Sequence, residues 1–273
     1  MTVRNSVRAD ARTAAGGYAF SLLGRFVLRM SDQEIRAFES RKVQELLAYL
    51  VLSSERAHHR ETLAETLWGT ESPGSEPKKH LRQALWQLSL LLRRMRQTSP
   101  ILLVDREWLQ VNRAAGVWTD VWDVEEAVSG TKGLSGEALA HEQVQGLRRV
   151  VDLYRADLLE GWYKDWCVYE RERLRTLYLR ALDKLLAYCE GHGLPEEGLF
   201  YGERILAHDR AHERTHWRMM RLHLLAGDRT RALRQFDRCA VALREELGIQ
   251  PAGSTVALRE QIRNDTVVLS EPR

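Results

Sequence analysis

The sequence predicts a mainly α-helical chain with a small β component, built in two parts. Short β-prone runs flank three amphipathic helical segments in the first part. A glycine-anchored pattern recurs 34 residues apart in the second, Gly193-Leu-Pro-Glu-Glu-Gly-Leu against Gly227-Asp-Arg-Thr-Arg-Ala-Leu. No apolar run approaches the ~20 residues that a membrane span needs.

With 273 residues, 44% of them apolar, the chain can bury one large core or two modest ones. The net charge of +3 is mild, so any nucleic-acid footprint must come from local clustering. Cys167, Cys189 and Cys239 show no metal-ligand spacing and leave an odd one if two pair. Reduced thiols in a cytoplasm are the simpler reading. Residues 1–17 carry Arg4, Arg8 and Arg12 but no apolar stretch, so they read as a disordered lead-in rather than a secretion signal.

Tyr18 to Met30 alternates apolar and polar residues as strands do, with Gly24 as a bend. Ser31-Asp32 is a turn into a second short strand near Ile35 to Phe38. Arg41 to Leu52 is a helix with Val43, Leu46, Leu47 and Leu50 at core spacing. His59 to Trp68 is another, and Gly69 is placed to end it. The loop TESPGSE leads into a third helix, Pro77 to Arg96. Ile101–Val104 and Trp108–Val111, separated by Asp105-Arg106-Glu107, give a hairpin signal.

The third helix organises the first part. Leu81, Ala84, Leu85, Leu88, Leu91, Leu92 and Met95 share one face; Lys79, Arg82, Gln83, Trp86, Leu90, Arg93 and Arg94 share the other. Pro77 to Val104 holds six Lys/Arg and no acid. Pro77 suits a first helical position, where the missing N–H would be unpaired anyway. Two readings of the outer face stand: a solvated face on a core helix, and an element that reads a duplex. In the second, cations neutralise phosphates while amides and Arg forks reach base edges. Strands, three helices and a hairpin follow the order of a winged helix-turn-helix, whose third helix enters the major groove while the wing tracks the backbone.

In the second part, the period of 34 is that of the tetratricopeptide repeat, two antiparallel helices per unit. Gly198 and Ala232 are small residues at equivalent positions and let paired helices approach closely. Leu233, Phe236, Ala240, Leu243 and Leu247 supply a core stripe; Gly248 ends that helix and Pro251 bars its continuation. Such repeats stack into a curved surface suited to a partner or peptide.

The phrases LLGRFVL, RKVQELLAYLVL, RETLAETLW, HLRQALWQL and LLVDREWLQVN resemble the DNA-binding domain of activators of the Streptomyces antibiotic regulatory protein (SARP) type. YRADLLEGWYKDWCVYERERLRTLYLRAL and HERTHWRMMRLHLLAGDRTRALRQFDRCAVALREELGIQP resemble the bacterial transcriptional activation domain that accompanies it. Together these cover roughly residues 18 to 263. The resemblance implies direct-repeat promoter sites near the −35 element and contact with RNA polymerase through the winged-helix loops. The chain departs from the family at Gln87, Ser89 and Leu90, where arginine is common. Trp86 and Leu90 then form an apolar patch that meets either thymine methyls or protein.

Other residues compete for attention. His212-Glu213-Arg214-Thr215-His216 fits H-E-x-x-H, with His208 four residues earlier, but it falls where one repeat helix ends and the next begins. His58 and His59 read as solvated or phosphate-near. Trp118, Trp122, Trp162 and Trp166 read as packing at the junction of the halves, with an aromatic ligand cage as the alternative. Arg171, Arg173, Arg175, Arg204, Arg214, Arg218 and Arg221 read as solvated or paired with glutamates, or as a groove for an anionic effector or acidic protein segment. There is no Gly-rich phosphate loop.

The division expected is a lead-in at 1–17, a winged helix-turn-helix at 18–117 and a tetratricopeptide-like activation domain at 118–273. The function expected is a sequence-specific regulator that binds promoter double-stranded DNA and contacts RNA polymerase. An adaptor or effector-sensing regulator whose winged helix no longer reads DNA is the alternative, and a homodimer is left open. Lys78, Lys79, His80, Arg82, Gln83, Trp86, Gln87, Arg60 and Arg106 are the candidate DNA contacts. No catalytic residue, cofactor or metal is expected.

Overall fold

The computed structural model describes residues 17–30, 33–35, 38, 40–69, 76–94 and 100–267. Of the lead-in expected at 1–17 only Gly17 is among them, and the Ser31-Asp32 turn, Met95 and Arg96 of the expected third helix and all but Glu76 of the TESPGSE loop lie outside them. The chain forms two compact units. One holds the described residues up to Asp123 together with Tyr154–Leu174; the other holds Val124–Leu153 and Arg175 onward. The sequence suggested a single cut at 117/118.

The first unit opens with β1 (Tyr18–Ser21), β2 (Val27–Met30) and β3 (Gln33–Glu34), an antiparallel meander. Gly24 bends the chain between the first two with φ of +104°, where a side chain would be strained. The strand expected near Ile35 to Phe38 lies earlier, at Gln33–Glu34. Ile35 still donates its N–H to Leu28 and Phe38 packs edge-on against Phe26, while Arg36 and Ala37 between them lie outside the described residues.

Next come α1 (Arg41–Leu52), β4 (His58–His59), α2 (Arg60–Trp68) and α3 (Pro77–Arg94). Ser40 caps α1 by accepting from the Lys42 N–H, the role its hydroxyl suits. Helix α1 buries Val43, Leu46, Leu47 and Leu50 as the spacing predicts. Then follow β5 (Leu102–Val104), β6 (Trp108–Val111) and β7 (Val117–Thr119). The second sheet has the order β4-β6-β5, so the expected hairpin gains a third strand from His58–His59. His58 is buried there, its Nε2 3.0 Å from the Ser53 carbonyl and its ring against Tyr49, which corrects its reading as solvated.

Strand β7 pairs in parallel with β1, giving the first sheet the order β3-β2-β1-β7. It leads into α4 (Asp120–Ser129), whose first residue is fully buried. The chain returns to this unit at Tyr154. Gly24 and Leu159 donate to the Asp157 and Leu22 carbonyls, and Glu160 donates to Gly24, so the returning backbone is tied to the β1–β2 bend. Trp162 stacks on Phe26 and meets Trp166 edge-on. Arg171 fixes this return, its guanidinium donating to the carbonyls of Leu158, Leu159 and Trp162.

The second unit contains α5 (His141–Leu153), the later part of α6 (Asp165–Gly191), α7 (Pro195–His208), α8 (Glu213–Leu225), α9 (Arg229–Leu247) and α10 (Gly253–Arg263). Helices α7 and α9 start 34 residues apart, each two residues after a glycine in left-handed conformation, Gly193 and Gly227. Helix α8 packs on both α7 and α9, and α9 on α10, as helix-pair repeats do. A Cβ on Gly198 would lie 2.7 Å from a Leu222 methyl, so the glycine lets that side chain pack close; its counterpart Ala232 is buried with Met220, Phe236 and Leu258. The stripe on α9 is turned from the one expected: Ala232, Gln235, Phe236, Cys239, Ala242 and Leu243 are buried, while Leu247 is 60% exposed. The helix is flanked by α8 and α10, so its buried face is wider than one stripe and ends a turn before Gly248. Cys167, Cys189 and Cys239 are all buried free thiols.

Candidate nucleic-acid interface

Helix α3 begins at Pro77, and its amphipathic pattern decides which side chains are offered outward. Leu81, Ala84, Leu88 and Leu91 are buried, with Leu85 and Leu92 partly so. Lys78, Lys79, Arg82, Gln83, Trp86, Ser89 and Arg93 are exposed, while Gln87 and Leu90 are half-buried. Trp86 is 60% exposed, far more than a tryptophan packed in its own fold.

The cations differ in their surroundings. Lys78 Nζ lies 2.5 Å from the Glu61 carboxylate of α2, and that bond holds Glu61 below its ordinary pKa. Lys79 sits 3.7 Å from Glu76. Both are surface pairs, worth little in water and readily exchanged for a phosphate. His80 is turned the other way: its Nδ1 lies 2.9 Å from Lys42 Nζ and its ring meets Trp68 edge-on. It belongs to the packing of α3 on α1 and α2 rather than to the outer face.

The wing is stiffened from its tip. Asp105 accepts from the amides of Trp108 and Glu107 at 2.7 and 2.8 Å, and these bonds lower its pKa. Arg60 donates its backbone N–H to Glu107 and Nη1 to the Asp105 carbonyl, so it braces the turn instead of reaching freely outward. Arg106, between them, is exposed. Sequence reasoning missed the apolar character of the wing surface, where Leu103, Val104 and Trp108 are exposed, with Trp108 edge-on to His59. The continuous run Leu102-Leu103-Val104 has no alternation to tell its faces apart.

In the second unit most of the singled-out arginines are engaged. Arg218 and Arg221 share Glu190, Arg218 also reaches Asp183, and Arg204 donates to the Tyr178 hydroxyl. Arg173, in the first unit, pairs with Glu170. Arg214 is exposed and lines a cavity of about 490 Å³ with Arg180, Lys184 and His212, alongside Glu137 and Asp209. The H-E-x-x-H residues are separated in role. His212 precedes α8 and its Nδ1 meets the Thr215 hydroxyl. Glu213 accepts from the Ala252 amide. His216 is buried with Nε2 on the Arg210 carbonyl and Nδ1 on Gln235, and burial lowers its pKa. Among the described residues, no helix is long and apolar enough to cross a membrane.

Comparison with known proteins bears on the whole chain. The profile of the bacterial transcriptional activator domain matches residues 119–263, more than half of the sequence. A solved structure of Mycobacterium tuberculosis EmbR, in complex with a low-affinity phosphopeptide, is similar with a TM-score of 0.71 and 19% identity over 92% of this chain. This chain spans 66% of the length of that one, and at such identity the likeness is one of fold. A search of curated proteins returns no match. The architecture is thus the expected winged helix-turn-helix followed by a helical repeat domain. The chain belongs to the bacterial transcriptional activator domain family, and is a transcriptional regulator of the kind that the SARP-type resemblance indicated.

Proposed function

We propose that the chain regulates transcription by binding promoter duplex DNA through α3 and the wing, and by contacting RNA polymerase. The outer face of α3 carries the proposal: Lys79, Arg82, Gln83 and Arg93 are exposed together on a helix whose other face is buried. Lys78, Lys79, Arg82 and Arg93 supply charge for phosphates, Gln83 and Gln87 supply amides for base edges, and Trp86 supplies a surface for a thymine methyl. Arg106 tracks the backbone from the wing. Arg60 and His80 act through packing, one bracing the wing and the other seating the helix. The test is binding to promoter-length duplexes across a salt series. Affinity that falls steeply with salt and ranks sequences supports the reading; binding without sequence preference leaves an adaptor.

The cavity lined by Arg180, Lys184 and Arg214 supports a second role for the repeat unit, holding an anionic effector or an acidic or phosphorylated protein segment. Calorimetry with a phosphopeptide, repeated on Arg214→Ala, tests it.

A further inference from the structure

The middle of α3 carries no charge. Gln83 to Leu92 contains no Asp, Glu, Lys or Arg, and the run is bounded by Arg82 and Arg93. It spans about 15 Å of helix. Lys79 and Arg93 each stand seven residues from Trp86, two turns away and on nearly the same line. The ring thus has a cation about 10 Å to either side. Within the run, the fully outward side chains are Gln83, Trp86 and Ser89. The Ser89 hydroxyl donates to the Trp86 carbonyl at 2.7 Å and so keeps its proton on the helix. One amide and one indole are left to face a partner. Among the described residues, no other ring and no cation packs on that indole. Its neighbours Arg82, Gln83, Ser89 and Arg93 are polar and Leu90 is half-buried, so the surface offers a single ring. A protein partner calls for a contiguous apolar patch, which one ring does not make.

A major groove is about 12 Å wide and is walled by phosphates. Cations about 10 Å to each side of a ring suit those walls and leave the ring over the base edges. An indole cannot make the paired hydrogen bonds that pick out guanine or adenine. Over a bare polar edge it would strip water without replacing it. The apolar group on those edges is the methyl on C5 of thymine. Cytosine has only hydrogen at that carbon, and 5-methylcytosine has the methyl restored there. We propose that Trp86 is the specificity-determining residue at the centre of the interface: it reads the C5-methyl group of a pyrimidine, accepting thymine or 5-methylcytosine and rejecting unmethylated cytosine. The contact rests on the proposed entry of α3 into the groove. It also reaches past that role, because methylation of one cytosine then alters how tightly the chain binds.

The test uses the full chain and a duplex site selected from random sequence for tight binding. Each thymine of the site is replaced in turn by deoxyuridine, which removes the C5 methyl and leaves the hydrogen-bonding edge intact. At one position wild-type affinity should fall about fourfold, the effect of one buried methyl group. Cytosine at that position should bind weakly, and 5-methylcytosine should recover about the same factor. Trp86→Ala should show neither response. Trp86→Phe, which keeps an apolar ring, should retain both, and circular dichroism checks that each variant is helical. If no thymine responds to loss of its methyl, or if Trp86→Ala responds as the wild type does, the proposal is overturned while selective binding by α3 stands. If the wild-type chain selects no sequence at all, the DNA-reading role fails and takes the methyl contact with it.

Discussion

Asp120 accepts hydrogen bonds from the backbone amides of both Leu22 and Leu23, at 2.9 to 3.0 Å, across the sequence distance that separates the first strand from the end of the first unit. The Thr119 hydroxyl adds a third donor. Burial outweighs these bonds and pushes the carboxyl up to about 6 from 3.8. A pKa raised on folding means that the protonated form is the better tolerated one. Its contribution is fully present below about pH 4 and is lost as pH rises through about 6, a difference of about 3 kcal/mol. Asp120→Asn removes this titration but turns an amide N–H₂ towards two donors. Its penalty in urea unfolding should therefore be larger at pH 5 than at pH 7. A penalty independent of pH would show that Asp120 stays ionised throughout.

Lys79 is expected to meet a phosphate. Each such contact contributes ~0.9 to the slope of log K against log salt. Lys79→Ala should weaken binding to all duplexes and flatten the slope by about one unit. An unchanged slope places Lys79 outside the interface.

Gln83, exposed beside Arg82, is the candidate for adenine. Gln83→Ala should relax preference at one base position by ~1–3 kcal/mol. Binding-site selection is the readout, and identical logos for mutant and wild type would refute the assignment.

Gly136 lies against the backbone of α6. A Cβ there would sit 2.5 Å from the Lys184 carbonyl oxygen and would overlap the Ala187 methyl. Since main chain cannot give way as a flexible side chain does, Gly136→Ala should destabilise the protein by ~1–3 kcal/mol in denaturant unfolding. Gly253→Ala, with nothing within 4 Å of the added carbon, should be neutral or slightly stabilising.

Local periodicity made much of the chain legible from its residues. The bounds of α1, the start of α3 at Pro77, and the 34-residue step from α7 to α9 all follow from apolar spacing and punctuation by proline and glycine. What escaped is non-local. Strand β7 has three residues and pairs in parallel with β1 nearly a hundred positions away, so no pattern within Val117–Thr119 announces it. The return of Tyr154–Leu174 to the first unit rests on backbone bonds around Leu22 and Gly24 and on Arg171, which looked like one arginine among many. At the interface, the outward set of α3 was legible because it is the complement of a buried stripe. The turning of His80 and Arg60 inward was not, since each is set by a partner on another element, Lys42 and the Asp105 carbonyl.

The return of Tyr154–Leu174 also sets an order on the birth of the molecule. A ribosome making the chain releases the three helices and the wing long before it delivers Trp162 and Arg171. Synthesis runs at about 5–20 residues per second, so the unit that carries α3 stands without its last segment for seconds on every new chain. During that interval the Leu22 and Gly24 carbonyls and the Gly24 N–H lack the backbone partners that Asp157–Glu160 bring, and the Phe26 ring lacks Trp162. Termination before Leu174 would leave a protein that contains every candidate DNA contact and still lacks a closed first unit.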